Sequence, residues 1–169
     1  MSNASNTSKR ASWIRRLGPI LAGILICEGV GIVAGLATRQ SVDTWYPTLN
    51  QPGFTPPDWV FAPAWTLLYA LMGIAAGLVW RLGWDRSVVR GALGWFAFQL
   101  VLNASWTIAF FGLQSISGGL VVIVALWAAI AVTLARFYRL HRGAGVLLVP
   151  YLLWVTYAAA LNVGLWMLN

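Results

Sequence analysis

Acidic side chains are nearly missing from this chain: Glu28, Asp43, Asp58 and Asp85 are the full complement of four. Charged residues of both signs together make up 9%, where soluble domains carry roughly 25%. So small a polar complement cannot cover a surface that faces water, and the solvent it implies is lipid. A single cysteine, Cys27, excludes an intrachain disulfide framework and any cysteine-based metal site. The lone histidine, His141, lies between Arg139 and Arg142 and is expected as a solvated turn residue. There is no metal-ligand cluster, no histidine–carboxylate–serine set and no phosphate-cradling glycine loop, so hydrolase, kinase and metalloenzyme chemistry has no residues to run on. The net charge of +7 would suit nucleic acid only as a basic face on a soluble domain. Here the arginines stand between apolar runs, and no nucleic-acid partner is expected.

Apolar residues, by contrast, make up 60% of the chain, with a mean hydropathy of +0.75. They fall into five runs, 17–38, 61–80, 92–112, 118–138 and 146–168, each long enough to cross a core of roughly 30 Å as a helix. In lipid the backbone must satisfy its own hydrogen bonds, which leaves helices or closed barrels. Barrel strands alternate apolar and polar residues over about 10 positions, whereas these runs are continuously apolar. The expected fold class is therefore an all-α integral membrane protein, a five-helix transmembrane bundle over 17–169. A basic, disordered tail precedes it at 1–16, with Trp13 at the interface. The first run follows positive charge as a signal peptide does. Its length suits a full span, and no small-residue cleavage site follows it.

Ten of the eleven basic residues alternate to one side of the five spans. Lys9, Arg10, Arg15 and Arg16 are in the tail, Arg81, Arg86 and Arg90 follow the second run, and Arg136, Arg139 and Arg142 follow the fourth. Only Arg39 lies on the other side. This pattern predicts a cytoplasmic N-terminus, with the loop after the first run and the C-terminus opposite; inner and outer membrane stay undistinguished. No repeat of 20–50 residues is visible, and five spans do not divide into inverted halves, which argues against an alternating-access carrier.

Between the first two runs, Trp45 to Trp65 holds five of the seven prolines together with Trp45, Tyr46, Phe54, Trp59 and Phe61. Proline locks φ and withholds a donor, so Pro47 to Pro57 cannot be regular helix. A stiff loop this aromatic is expected to fold back and cover something.

Seven of the eleven tryptophans, at 13, 45, 59, 80, 84, 95 and 166, fall near predicted helix ends and suit an interfacial belt. Trp65, Trp106 and Trp154 lie inside spans at depths that converge beneath the loop; Trp127, in the fourth run, suits lipid or a partner subunit equally. Helical spacing extends the three into faces: Trp65, Tyr69 and Met72; Gln99, Asn103, Trp106 and Phe110; Trp154, Ala158, Leu161 and Asn162. The amides on these faces must point inward, either to bond helix to helix or to orient a guest. In the functional reading the faces wall a flat cavity suited to a planar aromatic molecule such as a porphyrin. Glu28 is the one carboxylate within a span, either a proton relay or ligand contact, or a protonated group bonded to a neighbouring helix. Gly31 and Gly35 in the first run, and Gly73 and Gly77 in the second, permit close helix approach, one pair serving the bundle and the other a dimer.

Taken together, Trp45-Tyr46 with Pro52, Pro56-Pro57 and Phe61-x-Pro63-x-Trp65, then Leu102-Asn103-x-x-Trp106 with Phe110-Phe111-Gly112, then Pro150-Tyr151-x-x-Trp154-x-x-Tyr157-Ala158 with Leu161-Asn162, closely resemble the translocator protein family, also called tryptophan-rich sensory proteins or peripheral-type benzodiazepine receptors. The resemblance covers residues 17–169. It implies a five-helix fold, a homodimer, and binding of porphyrins including protoporphyrin and haem, with no obligatory cofactor and no metal. Animal members also bind cholesterol and synthetic aromatic drugs; bacterial members are associated with tetrapyrrole and stress regulation, and some degrade protoporphyrin in light. Carried over by motif, Trp65 and Trp154 are the paired pocket indoles, Tyr46 and Pro47 part of the lid, and Asn103, Trp106, Ala158 and Leu161 the wall. The C-terminal stretch Val163–Asn169 lacks the tyrosine and basic residue of the animal sterol motif, which argues against sterol as a partner. The short, arginine-rich turns resemble bacterial members. The expectation is a porphyrin-binding protein of transport, sensing or stress regulation. The alternatives are a light-dependent porphyrin-degrading enzyme with Trp65 and Trp154 as catalytic candidates, or a structural module acting through a partner protein.

Overall fold

The computed structural model describes the backbone from Asn3 to Asn169 and the side chains from Leu17 onward. Its helices are α1 (Asn3–Thr44), α2 (Phe61–Trp80), α3 (Ser87–Thr107), α4 (Ile116–Leu140), α5 (Arg142–Leu147) and α6 (Val149–Leu168). Two 3-10 turns, Tyr46–Thr48 and Asp58–Val60, punctuate the proline loop, and a π turn, Ile108–Gly112, follows α3. No strand occurs among the described residues. The side chains of the expected tail, residues 1–16, lie outside those described, including Trp13 and its four basic residues. Among the described residues, five helical stretches are long and apolar enough to cross a membrane, the fifth built from α5 and α6 together.

The second span agrees with its expected bounds residue for residue, and Pro63 and Pro150 sit in the first turns of α2 and α6, where a missing donor costs least. The other helices outrun the hydropathy. The first span, expected to end at 38, continues to Thr44 because its polar continuation remains helix-competent up to the turn before Pro47, with Arg39 and Asp43 one turn apart at 3.8 Å. The third begins at Ser87 rather than 92, since a helix terminus needs only backbone partners and not apolar side chains. Here Arg90 pins the preceding turn by donating to the carbonyls of Trp84 and Asp85, at 3.1 and 2.9 Å. The fourth gains a turn's worth of polar ends, 116–140 against 118–138, with the Ser115 hydroxyl accepting from Gly118 N–H. The fifth, expected as one helix over 146–168, is broken at Leu148, because Pro150 has no N–H to continue the ladder.

His141 closes that last connection. It is half-buried rather than solvated, and its Nδ1 accepts the Ala144 N–H at 3.1 Å, which caps α5. His141→Ala is expected to lower stability by about 1 kcal/mol, whereas Asn at the same position keeps most of it. Thermal unfolding of both variants in one detergent checks this.

α1 packs along α2 and α3 along α4, while α4 also meets α5 and α6. The first of these contacts is backbone against backbone. A Cβ on Gly73 would strike Gly23 and Ile24, and one on Gly77 would strike Pro19 and Ile20. The α2 glycines therefore serve the bundle, with Gly23 as the opposing small residue. Gly31 admits the ring of Tyr69, and Gly35 faces open space. Around this contact the core closes on Cys27, Met72, Val79, Val89, Ile123, Leu126, Ile130, Phe137 and Tyr151. Leu25, Ile32, Val33, Leu36, Val121 and Leu153 point outward, as side chains facing lipid do.

Candidate functional site

α2 packs against α5 but barely touches α6, so the two diverge toward the loop end. Aromatic rings fill the interval. Trp65 of α2 stands at the centre, with its ring centroid 6.3 Å from Trp106 of α3, 6.5 Å from Trp154 of α6, 6.4 Å from Tyr151 and 5.6 Å from Tyr69. Phe61 meets Trp154 edge-on at 6.1 Å, and Trp154 continues to Tyr157 at 5.8 Å. Each such pair adds about 0.5–1.5 kcal/mol beyond its buried area. The three indoles predicted to converge do so, each half-buried. They differ from the expected flat cavity in that the rings fill the space between the helices.

The π turn aims the other wall. Its wide bond, Leu113 N–H to the Ile108 carbonyl at 2.8 Å, turns Phe110 into the core and Phe111 beside it. Trp45 packs on Phe110 at 5.6 Å and Tyr46 on Phe111 at 5.6 Å, while Trp106 stacks on Phe110 at 5.9 Å. Tyr46 thus closes the site from the loop side; Pro47 sets the 3-10 turn and faces outward.

The far half of the loop is fastened to α6. Asn50 N–H donates to Asn169 Oδ1 at 2.9 Å, Asn169 Nδ2 to the Asn50 carbonyl at 3.1 Å, and Asn50 Nδ2 to the Leu168 carbonyl at 3.3 Å. Tyr157 donates to the Phe54 carbonyl at 2.7 Å, and Pro52, buried, lies against bare Gly164. The loop covers the aromatic cluster as expected of a chain that is stiff and aromatic. Asn169→Ala is expected to speed hydrogen exchange at the Asn50 amide roughly tenfold, by removing a contribution on the order of 1 kcal/mol. Exchange at the Trp45–Thr48 turn stays unchanged, and site-resolved exchange measures both.

Beneath the indoles runs a buried polar chain. Tyr69 donates to Asn103 Oδ1, Asn103 Nδ2 to the Tyr151 hydroxyl at 2.9 Å, and Tyr151 to Gln99 Oε1 at 3.0 Å. Trp106 Nε1 donates to Asn162 Oδ1 at 3.3 Å, and Asn162 Nδ2 to the Ile116 carbonyl at 3.0 Å. Of the two roles open to these amides, the geometry assigns helix-to-helix bonding. Asn103 is wholly buried under the cluster rather than lining its surface, and it joins α2, α3 and α6 through two tyrosines. Ala158 and Leu161 are buried on the same α6 face. Glu28 is half-buried on α1, one turn before Gly31, whose bare backbone meets the Tyr69 ring. Trp127 is 41% exposed and donates to Thr156 Oγ1 at 2.8 Å, tying α4 to α6. Phe61, Tyr151 and Tyr157, motif residues to which the sequence reading gives no pocket role, belong to the cluster. Their signal was the spacing: Phe61 lies one turn before Trp65, and Tyr151, Trp154 and Tyr157 recur every three residues.

This arrangement defines a class, a multi-pass helical membrane protein in which three tryptophans from three helices are gathered under one docked loop. The sequence profile of the TspO/MBR family matches residues 23–167, and the chain belongs to that family. It is 45% identical over 151 residues to the "Tryptophan-rich protein TspO" of Archaeoglobus fulgidus, covering 89% of this chain and 96% of that one. To the "Tryptophan-rich sensory protein" of Cereibacter sphaeroides it is 43% identical over 127 residues, 75% and 78% of the two chains. To the human "Translocator protein" it is 35% identical over 156 residues, 91% and 89% of the two chains.

Proposed function

We propose that this chain binds a porphyrin, protoporphyrin or haem, between the indoles of Trp65 and Trp154 beneath the proline loop, and acts in tetrapyrrole transport, sensing or stress regulation. The observation that carries this reading is the single aromatic cluster around Trp65, built by three helices and closed by Tyr46. A large planar guest gains ring stacking there that bulk lipid does not offer. The names of two relatives, a sensory protein and a translocator, agree with a ligand-responsive membrane protein. The porphyrin is cargo or signal, and no cofactor is required. We assign the arginine-bearing end to the cytoplasm on the positive-inside pattern, and a homodimer as the working assembly; the C-terminal stretch disfavours sterol.

A second reading, light-dependent porphyrin degradation, draws on the ring contacts themselves. Trp65 touches Trp106, Trp154, Tyr69 and Tyr151, so an electron lost from Trp65 to an excited porphyrin has oxidisable neighbours. One titration separates the readings. Protoporphyrin is added in the dark to detergent-solubilised protein, tryptophan fluorescence is followed to saturation, and absorption spectra are taken before and after illumination. Saturable quenching with a stable spectrum supports binding and sensing. A light-driven spectral change that needs the tryptophans supports degradation, and unsaturable quenching overturns both.

A further inference from the structure

We propose that Asp58 selects among porphyrins by the charge on the ring's edge, so that rings with neutralised acid side chains are taken in preference to rings bearing free carboxylates. The inference rests on the porphyrin reading and goes beyond it to the class of ring. Protoporphyrin carries two propionates on an otherwise apolar ring, and wherever the ring stacks, those two charges need partners.

The loop end of the bundle offers them none. Among the described residues it holds one basic side chain, Arg39, which is 77% exposed and has Asp43 one turn along at 3.8 Å. Arg81, Arg86 and Arg90 lie after α2 and at the start of α3, and Arg136, Arg139 and Arg142 end α4 and open α5, all at the opposite end. Asp58 has no ion-pair partner among the described residues. It stands at the rim of the aromatic cluster. Its carbonyl accepts the Phe61 N–H, which fixes it one turn before the ring that meets Trp154 edge-on at 6.1 Å. The Asp58 carboxylate and Tyr157 both act electrostatically on the Tyr46 hydroxyl, so the three lie together where the loop closes the site. A propionate directed outward therefore meets a carboxylate and no cation.

Directing the propionates inward does not relieve them. Beneath the indoles the hydroxyls and amides from Tyr69 to Gln99 are spent on one another. The one unpaired donor among the described buried side chains, Gln99 Nε2, is at the end of that chain away from Tyr69. No buried side chain among those described is basic, and a carboxylate placed there has no counter-charge. A ring with esterified carboxyls escapes both penalties and keeps its stacking.

The full chain in an uncharged detergent is titrated in the dark with protoporphyrin and with its dimethyl ester, tryptophan fluorescence giving each Kd. The ratio of the two Kd values is compared among variants, which cancels the unequal partition of the two rings into micelles. Asp58→Asn is expected to tighten protoporphyrin about two- to fivefold, the range for one exposed charge pair, and to leave the ester unchanged. Asp58→Lys, a change of two charges, is expected to reach roughly tenfold. Both effects shrink at about 1 M salt, where the screening length falls to about 3 Å. Asp85→Asn, removing an exposed acid at the opposite end, moves neither ligand. An unchanged ratio in both Asp58 variants overturns the inference. Equal weakening of both ligands overturns it in favour of a structural role for Asp58, and an equal gain in Asp85→Asn overturns it in favour of net charge. If neither porphyrin saturates, the binding reading itself is overturned and this inference falls with it.

Discussion

Gly73→Leu is expected to abolish the folded bundle, leaving a protein that aggregates on extraction and shows no cooperative unfolding. The Cβ alone would occupy the space of the Gly23 and Ile24 backbone, and backbone cannot rotate aside as a side chain does. Overpacking against movable side chains costs about 1–3 kcal/mol; here α1 must separate from α2 along the whole contact. Every span packs on this pair directly or through α3 and α5, so the loss propagates to the aromatic site. Gly73→Ala shows the same effect in graded form, with a lowered Tm. Gly35 supplies the control, because a Cβ there meets nothing within 4 Å and Gly35→Ala gains helix propensity of up to about 1 kcal/mol. Opposite signs at two glycines on neighbouring helices are checked by thermal unfolding in one detergent.

Trp65→Ala is expected to weaken protoporphyrin binding by about a hundredfold, and Trp154→Ala by roughly tenfold or more. Within the bilayer the loss is of ring contacts rather than of burial from water, at about 0.5–1.5 kcal/mol per aromatic pair, so a guest that forfeits one to three of them loses roughly 1–3 kcal/mol. Trp65 carries the larger share because it contacts four other rings, while Trp154 meets Phe61, Trp65 and Tyr157. The phenylalanine variants separate area from chemistry. Trp65→Phe keeps most of the stacking and loses only part of the affinity, whereas any light-driven reaction that needs an indole electron donor disappears with it. The fold tolerates these changes because the structural bonds beneath the cluster, from Tyr69 through Asn103 to Tyr151 and Gln99, use none of the indoles in question.

The five spans were legible because burial in lipid writes itself directly as hydropathy, and α2, bounded by Val60 and Arg81, shows that signal at its cleanest. The ends of the other helices were not, since Ser87–Gly91 and Arg39–Thr44 mix polar and charged residues with valine and so break the apolar run, yet are fully able to bond along a helix. The convergence of Trp65, Trp106 and Trp154 followed from spacing and depth. Their mutual contact did not, because whether rings enclose a space or fill it depends on how far α2 and α6 diverge. Gly73 and Gly77 announced a close approach but not its partner. Gly23 carries no motif of its own, and register between two helices is a property of the pair. The π turn at Ile108–Gly112 and the His141 cap were likewise invisible, as both depend on a local choice among hydrogen bonds that the same residues make in several ways.

The asymmetry of the loop suggests how a guest reaches a closed cluster. Trp45 and Tyr46 are held by the aromatic wall of the π turn, whereas the Asn50–Asn169 fastening and the Tyr157–Phe54 bond lie at the exposed rim. Rim hydrogen bonds exchange with water at little cost, and ring packing does not. On the proposed porphyrin reading, the half of the loop over Trp154 is the half expected to lift, with Pro52 leaving its seat on Gly164.

The most direct test of the central claim labels the indoles themselves. In protein carrying ¹⁵N-tryptophan, each indole N–H is assigned by single Trp→Phe substitution and followed while protoporphyrin is added in the dark. Porphyrin ring currents shift only nearby protons. The account predicts large shifts at Trp65, Trp106 and Trp154, with Trp80, Trp84, Trp95 and Trp166 unmoved. Shifts confined to the interfacial indoles, or none at the cluster under saturating porphyrin, would contradict it.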